Sequence, residues 1–143
     1  MEADITIHSV IENLDGTRDV ERTHTEATGE LSFSPDGARL AWCEDSEGGA
    51  VETLLFISGE TVKVVRHGAI ESSLVFKEGK RTESLYKMGP YTFDSSVTAR
   101  RVKSSLSGVG ISVTVIYEME LGGVQRLVKM KIRADAKTEV YDA

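Results

Sequence analysis

Apolar and polar residues alternate over short stretches along most of the chain. Val113, Val115 and Tyr117 are spaced by Thr114 and Ile116, and Val128, Met130 and Ile132 by Lys129 and Lys131. A period of two is the signature of a strand with one buried face, and few stretches carry the three-to-four spacing of an amphipathic helix. The alternating segments are rich in β-branched residues and are interrupted by short turn signals, so the pattern predicts strands over 4–13, 19–32, 38–44, 51–58, 61–66, 70–76, 80–87, 91–103, 109–121 and 124–133.

Asp15-Gly16, Pro35-Asp36-Gly37, Gly59-Glu60, Glu78-Gly79 and Gly122-Gly123 each separate two of these segments and supply the backbone freedom that tight connections need. Successive hairpins make sequential strands spatial neighbours. The fold class is therefore all-β: a single antiparallel up-and-down sheet, which closes into a barrel because closure removes exposed edges. Residues 1–134 form the barrel domain and 135–143 a polar, flexible tail.

Two-residue turns also fix register. Gly122-Gly123 sets Leu121 opposite Val124, Tyr117 opposite Val128, Val115 opposite Met130 and Val113 opposite Ile132 on one apolar face. The same pairing puts Arg126 across from Met119, on the apolar side near a barrel mouth. Gly59-Glu60 pairs Ile57 with Val62 and Leu55 with Val64, and sets Arg66 against Thr53. Arg66 and Arg126 thus fall on inner faces, where a cation needs a counter-charge, water or a ligand. Glu78-Gly79 sets Arg81 opposite Phe76.

Composition narrows the function. The 143 residues carry a formal net charge of -6, which disfavours counterion-releasing contact with nucleic acid. The lone Cys43 allows no intrachain disulfide and no cysteine-rich zinc site, which suits a reducing compartment. The first residues lack a basic, apolar leader, and no run approaches the roughly 20 apolar residues of a spanning helix. The expectation is a cytoplasmic protein that binds neither membranes nor nucleic acid.

Catalytic signatures are missing. There is no G-x-S-x-G, and Cys43, in the apolar-rich segment 40–43, reads as a buried structural thiol. His8, His24 and His67 are widely spaced, and Glu44, Asp45 and Glu47 form an acidic, glycine-flanked loop without calcium-loop spacing. Gly108-Val109-Gly110 leads into a strand and reads as a turn, not a phosphate cradle. Arg100, Arg101 and Lys103, on one strand with Tyr91 and Phe93, read as a charged strand end. No cofactor, metal or enzymatic activity is expected.

SLVFKEGKRTESLY from Ser73, GPYTF from Gly89 and VIYEMELGGVQRLVKMKI from Val115 resemble the YwiB-like bacterial family of unknown function. A looser likeness runs through VIENLDGTRDVERTHTEATGEL from Val10 to Leu31. That resemblance implies a calycin, lipocalin-like barrel of about eight to ten strands from a bacterial cytosol, and no established activity. Combined with the inner arginines, it suggests a small, partly apolar or anionic ligand inside the barrel. Trp42, Arg66, Arg81, Tyr86, Tyr91, Tyr117 and Arg126 are the candidate contacts. The alternative is a packed barrel serving as a protein-interaction or homodimer module through the outward apolar residues Leu54, Val65, Ile116 and Leu127.

Overall fold

The computed structural model describes residues 1–14, 16 and 19–137. Ten strands follow one another: β1 (Glu2–Asn13), β2 (Val20–Ser34), β3 (Gly37–Ser46), β4 (Gly49–Ser58), β5 (Thr61–Gly68), β6 (Ile70–Phe76), β7 (Arg81–Met88), β8 (Tyr91–Leu106), β9 (Gly110–Leu121) and β10 (Val124–Ala136). Each pairs antiparallel with its sequence neighbours, and β10 returns to β1 to close the barrel. Every predicted strand is present, with ends displaced by no more than three residues.

The turn residues account for this register. Gly59, Gly79, Gly122 and Gly123 all have positive φ, as tight hairpins demand. The Gly122-Gly123 hairpin pairs Tyr117 with Val128 and Met119 with Arg126, and the Gly59-Glu60 hairpin pairs Thr53 with Arg66, as the sequence predicts. Gly16 also has positive φ, but Asp15 of that predicted turn lies outside the described residues, as does 138–143 of the predicted tail.

The last strand runs three residues beyond its predicted end. Ala134 is fully buried, flanked by Ile5 of β1 and Ile111 of β9, and Ala136 pairs with Ala3. The alternation of Ala134 and Ala136 with charged Asp135 hides this segment's inward face, because alanine contributes little to a hydrophobic pattern.

Two irregularities shape the wall. β6 and β7 share only two ladder pairs, Ile70 with Met88 and Glu71 with Lys87. Near their turn β7 leans instead on β8, where Gly79 N–H donates to Ala99 O (2.8 Å) and Ala99 N–H to Lys80 O (3.2 Å). A bulge between Ala99 and Arg101 of β8 lies at this junction. Second, β2 pairs with β3 only from Gly29 to Ser34, although it pairs with β1 from Val20 to Glu30.

The centre of the barrel is solid. Ile5, Leu31, Leu40, Leu55, Val62, Phe76, Val97, Val113 and Val115 are at most 2% exposed and belong to one cluster. Burial of each such side chain is worth about 1.5–3 kcal/mol. Phe76 packs against Tyr117 with ring centroids 4.6 Å apart and planes tilted by 45°.

Candidate functional site

Polar side chains interrupt the apolar interior towards one mouth, formed by the β3–β4, β5–β6, β7–β8 and β9–β10 turns. Backbone pairing places Trp42, Thr53, Arg66 and Ser72 side by side on adjacent strands β3 to β6. Trp42, Thr53 and Ser72 are buried, and Arg66 is half-buried. The Trp42 indole N–H donates to Glu44 Oε1 at 2.5 Å, which fixes both side chains at the inner wall.

Among the described residues, three buried side-chain polar atoms have no hydrogen-bond partner: Thr53 Oγ1, Arg66 Nε and Ser95 Oγ. Such atoms are rare in folded proteins, since each unpartnered buried donor or acceptor costs about 1–3 kcal/mol. No carboxylate among the described residues forms an ion pair with Arg66. Its charge is felt by Tyr117, whose phenol burial pushes up to about 12 against the lowering pull of the Arg66 cation, while Tyr86 raises it further. Strand alternation turns Arg66, Tyr86 and Tyr117 to the inner face towards this mouth, and these inward positions define a polar enclosure.

Above this row lies a groove of about 560 Å³. Its lining comes from the mouth turns, with Ser46, Ala69, Ile70, Met88, Pro90 and Tyr91 among its residues. Strand alternation relates groove and enclosure: Glu44, Arg66 and Tyr86 are the inward positions one step below Ser46, Gly68 and Met88. Glu47, Glu71 and Lys87 also line the groove, and its apolar residues stand above the inward-facing Arg66, whose Nε has no partner, an arrangement that can take an amphipathic anion. A larger depression, about 710 Å³, opens at the opposite mouth between Glu60, Lys77 and Lys103. Its lining combines Lys77 and Lys103 with Glu60, Glu78 and serine and threonine hydroxyls, and the three unpartnered atoms are on neither its lining nor that of the smaller groove.

The seven residues singled out in the sequence divide accordingly. Trp42, Arg66, Tyr86 and Tyr117 occupy inward-facing positions, with Trp42 and Tyr117 buried, and Tyr91, 63% exposed, stands on the groove rim stacked 6.4 Å from Phe93. Arg126 faces the inner side as its register predicts, but it is exposed at the mouth and is not a buried anchor. Arg81 does not face Phe76. It is exposed and pairs with Glu83 at 3.6 Å, because the β6–β7 ladder fails near its turn and the two residues occupy opposite sides of the wall.

Two further expectations are corrected. Cys43 is exposed, since inward-facing Leu40 and Trp42 force it outward, opposite Glu52. Glu44, Asp45 and Glu47 do not make one loop cluster: Glu44 and Asp45 continue β3, where alternation sends Glu44 inward. Thr53, Ser72 and Ser95 were not apparent as site residues. Thr53 was readable from its pairing with Arg66, whereas Ser72 and Ser95 give no local signal in serine-containing strands. The outward residues Leu54, Val65, Ile116 and Leu127 are each half-buried within the monomer.

The sequence profile of a family described as a domain of unknown function, DUF1934, matches residues 5–133. An uncharacterized β-barrel protein of Bacillus subtilis strain 168, YwiB, is 29% identical over 126 residues, spanning 87% of each chain. The crystal structure of the ywiB protein from Bacillus subtilis superposes with a TM-score of 0.82 at 26% identity, covering 96% of this chain and 92% of that one. The resemblance seen in the sequence and the barrel architecture agree with both comparisons.

Proposed function

This chain belongs to the DUF1934 family, a domain of unknown function, and from that premise we propose that it is a binding protein, not a catalyst, for a small, partly apolar anion. The ligand enters the mouth groove and places a carboxylate or phosphate against Arg66, while Ile70, Met88, Pro90 and Tyr91 cover its apolar part. The observation that carries this reading is the buried Arg66 Nε without a partner, paired across the β4–β5 ladder with Thr53, whose buried Oγ1 is also unpartnered. A bound oxyanion would accept from the guanidinium and the Thr53 hydroxyl together, offsetting the desolvation of both. The solid core confines such a ligand to the mouth, so it is of metabolite size and not a long lipid. The acidic composition and single cysteine support a cytoplasmic setting.

Native mass spectrometry of undenatured protein, followed by titration with small aryl or alkyl carboxylates and phosphate monoesters, tests the proposal. A saturable complex in the parent protein that weakens at least about tenfold in Arg66→Gln is the expected result. No saturable binding across both ligand classes, with ordered water alone satisfying Arg66, would overturn it.

A further inference from the structure

The incomplete β2–β3 ladder leaves a long stretch of sheet edge open. From Val20 to Thr28, β2 pairs with β1 on one side and, among the described residues, has no strand on the other. Val20 to Glu26 are all exposed, with Val20 49% accessible. The β1–β2 register is continuous there, so no bulge turns the edge away, and the stretch contains no proline or lysine. This nine-residue edge presents main-chain donors and acceptors to another strand, and its charges, Glu21, Arg22 and Glu26, admit only a partner that complements them.

The sequence of that edge complements itself. When the segment is laid antiparallel on a second copy about a two-fold axis at His24, Val20 meets Thr28, Glu21 meets Ala27, Arg22 meets Glu26 and Thr23 meets Thr25. Each pair occurs twice, and all nine open positions are used. Arg22 and Glu26 then form two cross-strand pairs of opposite charge on the outer face, the face on which the His8 and His24 rings meet edge to face at 4.3 Å. Moving the axis by one residue is worse in either direction. An axis at Thr23 sets Arg22 against His24, and an axis at Thr25 drives Glu21 onto Gly29, which already pairs with Trp42.

We infer that the open edge of β2 joins two copies of this chain into a symmetric dimer, in which the sheets run continuously through β1, β2 and their partners. One strand pair makes a small interface, so the dimer is a weak one that forms with rising concentration.

Sedimentation velocity over a broad dilution series reads this directly. The parent protein shifts from monomer to dimer with concentration. Arg22→Glu and Glu26→Arg each oppose like charges at two places and weaken dimerisation by roughly tenfold or more. The combined R22E/E26R chain restores unlike pairs and recovers the dimer. All these positions are exposed, and circular dichroism confirms that each variant keeps its strands. A parent protein that stays monomeric throughout, a dimer indifferent to both single substitutions, or a double variant that fails to recover would each overturn the inference.

Discussion

Arg66 and Thr53 face each other across the β4–β5 ladder, and each holds a buried polar atom, Nε and Oγ1, that lacks a hydrogen-bond partner. The pair is unfavourable for folding alone, and each substitution at it separates stability from binding.

Thr53→Val keeps the shape and removes the hydroxyl. It is expected to leave the barrel as stable or to stabilise it by about 1 kcal/mol in urea unfolding, because an unpartnered group is lost. The same change weakens anion binding. A loss of more than about 1 kcal/mol of stability would show that the hydroxyl is satisfied in solution.

Tyr117 gives a pH dependence of defined sign. Its phenol pKa is raised from 10.0 to about 12 in the folded state, chiefly by burial, so the folded protein holds a proton that the unfolded chain releases. The corresponding stability is full below pH 10 and declines as pH rises towards 12, by about 2–3 kcal/mol in all. Tyr117→Phe should flatten that decline, as measured by urea unfolding at successive alkaline pH values. An unchanged slope would mean that other groups cause it.

Gly68 and Gly79 both have positive φ, yet their surroundings differ. A Cβ on Gly68 would overlap the carbonyl oxygen of Ala50, whereas Gly79 has open space. Gly79→Ala should cost about 1–2 kcal/mol from backbone strain, and Gly68→Ala clearly more. Thermal denaturation of the two variants side by side settles the order, and equal losses would contradict the close approach.

Trp42 is the chain's single tryptophan, 5% exposed, and borders the polar row. Its emission should be blue-shifted in the native protein and should change on saturation of the Arg66 site. Trp42→Phe removes the indole donor to Glu44 and should cost about 1 kcal/mol or more. A red-shifted native spectrum would contradict the burial.

Much of this architecture was legible because alternation and turn chemistry act locally. Val113, Val115 and Tyr117 reveal a buried face, and Gly122-Gly123 fixes what lies opposite it. The same reasoning placed Arg66 beside Thr53 and Arg126 beside Met119. It failed where distant strands decide the outcome. The bulge near Ala99 draws the β6–β7 turn onto β8, and that displacement turns Arg81 outward. The mouth groove is likewise assembled from turns far apart in sequence, with Ser46, Ala69 and Met88 each unremarkable alone.

Closure through β1 and β10 brings Ala3 against Ala136, almost the full length of the described chain apart. Nine hairpin contacts can form from neighbouring segments, but this last seam must await a loop-closing encounter between the two ends of the sheet. Refolding should therefore be slow for a chain of this size, with an open, edge-exposed sheet preceding the native state. Joining the ends by circular permutation, with a new break at an exposed turn, should accelerate that final step.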